Sequence, residues 1–314
     1  ANTTGQQNTA LGSLSLIANT TGGFNTAIGS ESLEANTTAA NNTALGWRSL
    51  HRNTTGASNT AVGKGALEAN TTANNNTAVG REALADNTTG INNTGIGYFC
   101  LDANTTGSGN TGVGRLCLSG NTTADNNTAV GLAALKANTT GATNTAVGTN
   151  ALLANTTGDF NTCVGNAAGD NITTGSNNVI LGHDSNCSSA TASNEVVLGG
   201  AGIATLRCNT QTISSLSDAR DKTNVIDLPE GLDFITNLRP VKFEWATRDG
   251  NGKDGSSEHG FIAQDLQKAQ KDNNADYLNM VLDENPDRLE ASYGKLVPIL
   301  VNAIKELSAK VTAL

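Results

Sequence analysis

Asn76-Thr77-Ala78-Val79-Gly80 is followed, seventeen residues on, by Asn93-Thr94-Gly95-Ile96-Gly97, and variants of this phrase run through most of the chain. The register holds without insertion at Asn8, Asn25, Asn42, Asn59, Asn76, Asn93, Asn110, Asn127, Asn144, Asn161 and Asn178, and a degenerate copy runs from Glu195 to Gly199. A fixed short period of this kind is the signature of a solenoid or repeat array. The fourth position is aliphatic in every copy, from Leu11 and Ile28 to Leu181 and Leu198, and glycine follows it each time. Invariance of chemical type predicts burial for this column. A second apolar column, from Leu16, Leu33 and Leu50 to Leu152, trails the first by five residues. Two short strands per coil account for both columns.

The glycines and the recurrent Asn-Thr-Thr-Gly or Asn-Thr-Thr-Ala phrases supply corners, because Gly and Asn tolerate backbone conformations that β-branched residues avoid. Seventeen residues leave no room for a strand, a helix and two loops, and Thr and Val favour strands, so stacked parallel strands are expected. Twelve rungs at about 4.8 Å give a stack roughly 60 Å long. The Asn-Thr-Thr triplets match the glycosylation acceptor pattern, but asparagine repeated at one corner can also form an amide hydrogen-bond ladder, which is the expectation for these corners.

Composition divides the chain. Residues 1–208 hold 7 basic and 11 acidic side chains and residues 209–314 hold 12 and 17, so charge density rises sharply after the repeats. This sets two domains, a β-solenoid shaft over 1–208 and a small α+β module over 209–314. The net charge of −9 and the few aromatics argue against nucleic acid as a partner. No apolar run is long enough for membrane insertion, and the chain, which starts inside a repeat without Met, reads as a fragment. The five cysteines lack zinc-site spacing. Cys100 and Cys117 share one column, Cys163 replaces an Ala of the strand, and all three read as small buried apolar residues. No metal and no cofactor is expected.

Four blocks follow in order: Ser217-Asp-Ala-Arg-Asp-Lys-Thr-Asn224, Leu238-Arg-Pro-Val-Lys-Phe-Glu-Trp245, His259-Gly-Phe-Ile-Ala-Gln-Asp265 and Ser292-Tyr-Gly-Lys-Leu-Val-Pro298, the last running on to Leu307. Together they resemble the intramolecular chaperone domain (peptidase family S74) of phage endosialidases and tail fibres, over about 214–314. That resemblance implies a homotrimer whose C-terminal domain helps the preceding β-structure to fold and then cuts itself off before a serine, using a serine-lysine dyad. Carried onto this chain, the catalytic residues are Ser217 and Lys222, and the cleavage site joins Leu216 to Ser217. Asp221 departs from the family pattern, where an apolar residue is common, and an acid there works against a neutral lysine. A continuous helix would set Ser217 and Lys222 about 140° apart around its axis, so the dyad needs a non-helical segment or a lysine from another subunit. His259 is expected to precede a short helix, from Phe261 to about Ala269, packed on a sheet that contains Phe243 and Trp245.

The last segment places Val297, Leu300, Ile304, Leu307, Val311 and Leu314 at alternating spacings of three and four, the a/d pattern of a coiled-coil helix. Its composition alone favours a parallel dimer, whereas the family resemblance implies three chains. The repeats in turn resemble the β-roll heads of trimeric autotransporter adhesins. The expectation is a virion protein, a homotrimeric tail fibre or spike segment whose shaft meets a host cell-surface receptor or glycan. A bacterial trimeric surface adhesin is the alternative, and an ice-binding solenoid, suggested by the Thr9, Thr26, Thr43 column, is a third. As an enzyme it would act only on its own chain, since the repeats show no recurrent carboxylate pair for glycan hydrolysis.

Overall fold

The computed structural model describes residues 2–200, 203, 217–246, 255–283 and 289–313. The chain divides into two compact units, Ala1–Ala201 and Gly202–Leu314. The expected boundary at Cys208 lies outside the described residues.

Unit one is a parallel β-solenoid of seventeen-residue repeats. Each coil contributes one three-residue strand, from β1 (Thr9–Leu11) to β12 (Val196–Leu198), and the twelve strands pair in sequence order. Register is strict: Thr77 faces Thr94, Ala78 faces Gly95 and Val79 faces Ile96. Only one strand forms per coil, not two. The second apolar column lies in a turn instead, where Leu84 and its counterparts hold a left-handed backbone (φ 52° for Leu84). The strain is tolerated because these leucines are fully buried and their amides still bond to the next coil, Leu84 to the Cys100 carbonyl at 2.9 Å.

The aliphatic column faces outward, contrary to the burial expected of it. Successive strand side chains alternate between faces, so position three points in when positions two and four point out. The narrow interior takes the small residue: Ala27, Ala44, Ala61 and Ala78 are fully buried. Leu45, Ile96 and Val164 beside them are 44%, 39% and 40% exposed.

Two amide ladders run the length of the interior. Asn36 donates to the Asn19 side-chain oxygen at 2.9 Å and Asn104 to that of Asn87 at 2.8 Å, and each also donates to a carbonyl three residues on. In the second ladder Asn76 donates to the Gly90 carbonyl and accepts from the Asn93 amide, both at 2.9 Å. These asparagines are fully buried, which suits the ladder reading of the Asn-Thr-Thr triplets and leaves no room for a sugar. Threonines complete the stitching, as where the Thr88 hydroxyl donates to the Thr105 carbonyl at 3.0 Å.

Unit two is a small α+β region. Its elements are α1 (Leu232–Thr236), β13 (Val241–Glu244), β14 (Ser257–Gly260), α2 (Ala263–Asp272), β15 (Val281–Leu282), β16 (Glu290–Ala291) and α3 (Leu296–Thr312). β13 pairs antiparallel with β14, and β15 with β16. The core gathers Phe234, Leu266, Leu278, Met280, Leu296 and Ile299. Helix α2 therefore packs on this cluster and not on Phe243 and Trp245, which stack edge to face on each other and stay partly exposed. His259 lies within β14, opposite Lys242.

Candidate functional site

Ser217 and Lys222 flank a single 3-10 turn, Ala219–Asp221. Asp218 precedes the turn in extended conformation and caps it, accepting from the Arg220 amide at 2.9 Å. The Arg220 guanidinium closes back on the same carboxylate, Nε to Oδ1 at 3.0 Å and Nη2 to Oδ2 at 2.5 Å. That guanidinium holds the Asp218 carboxyl below the usual carboxylate range. The turn ends at Lys222, again extended, whose amide donates to the Ala219 carbonyl.

The consequence is a return of Lys222 onto Ser217. Its Nζ lies 2.6 Å from Ser217 Oγ and 3.4 Å from the Ser217 carbonyl oxygen. The tight turn removes the obstacle a continuous helix would raise, so the lysine of the same chain reaches the serine. Among the described residues Lys222 makes no ion pair with Asp221, the residue that departs from the family pattern. Leu216 lies outside the described residues. The roles of Asp218 and Arg220 were missed from sequence, although an Asp and an Arg two residues apart inside the motif were the available signal.

The quoted sequence blocks interlock in space. Arg239, in the second, donates to Asp265, in the third, at 2.7 Å. The Phe261 amide donates to the Tyr293 hydroxyl at 3.2 Å, and that hydroxyl donates to the Phe261 carbonyl at 3.3 Å, linking third and fourth. Asn302 on α3 donates to the Leu228 carbonyl at 2.8 Å, and Glu306 accepts from the Leu232 amide at the start of α1. Leu296, Ile299 and Ala303 bury one face of α3, while Val297, Leu300, Ile304, Leu307 and Val311 remain exposed. Leu314, the last a/d position, lies outside the described residues.

Among the described residues one group could hold a metal ion: Glu31, Glu34 and His51 bring a ligand atom each to within 4.8 Å of one another. The Glu31 carboxylate is already engaged by Arg48 at 2.7 Å, which meets its need for a cation and lowers its pKa. Among the described residues no helix is long and apolar enough to cross a membrane.

Residues 217–274 match the family model described as chaperone of endosialidase, peptidase S74. The match opens on Ser217 itself and takes in the turn, β13, β14 and α2. No curated protein and no solved structure matches the chain. The match at residues 217–274, behind a seventeen-residue-repeat β-solenoid, supports a phage tail-fibre-type protein.

Proposed function

We propose that the chain is a homotrimeric tail-fibre or spike segment of a virion, and that its C-terminal region assembles three copies and then cuts between Leu216 and Ser217. The observation that carries the cleavage reading is the 2.6 Å approach of Lys222 Nζ to Ser217 Oγ. In its neutral form the lysine takes the hydroxyl proton as Oγ attacks the Leu216 carbonyl carbon. The Leu216–Ser217 C–N bond breaks, the nitrogen leaves as the Ser217 amine, and the acyl group is held as an ester on Oγ. Water then hydrolyses that ester, releasing the Leu216 carboxylate and restoring the hydroxyl.

Trimerisation is supported by two apolar surfaces that a single chain leaves uncovered: the aliphatic column of the solenoid and the exposed a/d face of α3. Both run lengthwise as apolar stripes of the kind that copies of one chain cover on assembly. Intact mass and native mass of freshly expressed protein test both parts, with Ser217→Ala and Lys222→Ala as companions. Wild type should split before Ser217, both variants should stay whole, and all should be trimeric. A wild type that stays full length refutes the cleavage reading, and a monomer refutes the assembly.

A further inference from the structure

The solenoid concentrates its scarce aromatic and basic side chains in one place. The position directly after the column glycine carries Trp47, Lys64, Arg81, Tyr98 and Arg115 in five successive coils, whereas the coils before and after carry Ser30 and Leu132. None of the five is buried, and Trp47 and Tyr98 are 42% and 39% exposed. At the spacing of paired strands they form a straight stripe about 19 Å long.

The stripe is ordered by cation–π contacts. The Lys64 ammonium lies 4.8 Å from the Trp47 ring centre, and the Arg81 and Arg115 guanidiniums lie 5.5 Å and 5.9 Å from that of Tyr98. Bordering carboxylates are partly committed, Glu31 and Glu68 to Arg48 and Glu82 to Arg81. Among the described residues Lys64 and Arg115 have no ion-pair partner. The result is a row of two partly exposed rings and three cations in the order ring, cation, cation, ring, cation, with Lys64 and Arg115 unneutralised.

We infer that this stripe binds an extended acidic polysaccharide. An exposed indole or phenol ring accepts the C–H face of a pyranose, and a guanidinium or ammonium beside it accepts a sugar carboxylate. The coil spacing is close to the advance per residue of a stretched pyranoside chain, so successive sugars can meet successive coils. A single-stranded nucleic acid is the competing ligand, since it too combines anionic groups with flat faces, and the competition below separates the two. The inference rests on the fibre reading only in that the shaft must be open to its surroundings.

The test applies the full chain to an array of acidic and neutral bacterial polysaccharides, with an oligodeoxythymidylate as competitor. Retention on at least one acidic polysaccharide is expected, weakened about tenfold by Trp47→Ala and by Tyr98→Ala. Arg115→Glu, a change at a position open to solvent, should abolish it and serves where the aromatic variants melt early. Lys136→Ala, off the stripe, should leave it unchanged. Absence of retention on every acidic polysaccharide, retention indifferent to the stripe variants, or preference for the oligonucleotide overturns the inference. Cleavage before Ser217 is scored on the same samples: uncleaved protein that binds counts against the dyad alone, and cleaved protein that fails to bind counts against the stripe alone.

Discussion

In the solenoid a side-chain hydrogen bond typically joins a residue to its counterpart seventeen positions away, whereas in the C-terminal unit Asn302 reaches back 74 residues to Leu228 and Arg239 reaches 26 to Asp265. The first unit is a column of nearest-neighbour contacts, each closing the same short loop, so its stability is close to a sum over coils and their interfaces. The second closes several long loops before its small core around Met280 and Ile299 exists. Tolerance to change should differ accordingly. A coil is stitched to its neighbours at many positions and has little slack, while the C-terminal unit has open turns on its surface.

The sharpest contrast is between glycines. Gly97 has φ +140°, and a Cβ there would lie 2.4 Å from the Gly114 carbonyl oxygen of the next coil. Gly294, in a surface turn of the C-terminal unit, would place a Cβ with nothing within 4 Å. Gly97→Ala should cost about 3 kcal/mol or more, since backbone must move on both sides, while Gly294→Ala should stay within about 0.5 kcal/mol. Urea denaturation measures both. Equal costs would break the comparison.

Next in size are the amide ladders. Asn87 donates to Asn70 at 3.1 Å and accepts from Asn104 at 2.8 Å, so Asn87→Ala strands a buried acceptor and leaves a void, about 2–3 kcal/mol. Asn155 occupies the same column, but residue 172 in the next coil is Ile, and Asn155 Oδ1 is buried without a partner. Asn155→Ala should therefore cost about 1 kcal/mol less than Asn87→Ala. Thermal melts of the two variants compare a complete rung with a broken one.

Much of this was legible in the sequence, for physical reasons that also mark where reading stopped. Insertion-free spacing set the stacking register, and asparagine at one corner implied a ladder because amides bond to themselves. The direction of the aliphatic column was not legible. In Thr-Ala-Val both Ala and Val are apolar, and alternation says that they face oppositely without saying which faces in; the narrowness of the coil decides for Ala. The second leucine column misled because Leu at positive φ is rare, and only rung-to-rung pairing makes it tolerable here. At the candidate site, Ser217 and Lys222 came from family resemblance, while their reach within one chain depends on the Asp218–Arg220 clamp, a tertiary detail of a few residues.

A subtler compensation lies within the solenoid core. Coils with cysteine at position eight, Cys100 and Cys117, have glycine at position three, Gly95 and Gly112, where neighbouring coils pair Ala with Ala or Ser. A Cβ on Gly112 would lie 2.6 Å from Cys100 Sγ. Gly112→Ala should thus cost about 2 kcal/mol by overpacking. Adding Cys100→Ala, which gives the cross-coil pair found at Ala66 and Ala78, should recover at least half of that loss. Double-mutant melts giving simple additivity would refute the compensation.

The smallest effect concerns acid. Burial pushes the Asp102 carboxyl in the solenoid up to about 6, repulsion from Asp86 and Glu82 adds to this, and its Oδ1 is buried without a hydrogen-bond partner. Because the folded pKa lies above the unfolded one, the folded state holds the proton more tightly. The associated stability is complete below the unfolded value near 3.8 and is lost as pH rises through about 6. Asp218 in the C-terminal unit has the opposite sign, since Arg220 lowers its pKa, but it is fully exposed and should leave melting unmoved. Asp102→Asn mimics the protonated form, so it should stabilise the protein by about 1 kcal/mol at pH 7.5, a figure already discounted for partial exposure. The advantage should vanish near pH 4, where wild type carries the proton itself. Melting curves of the pair across that range decide it: a constant gap would mean that the substituted amide packs better for reasons unrelated to charge, and a gap that widens in acid would reverse the assigned sign.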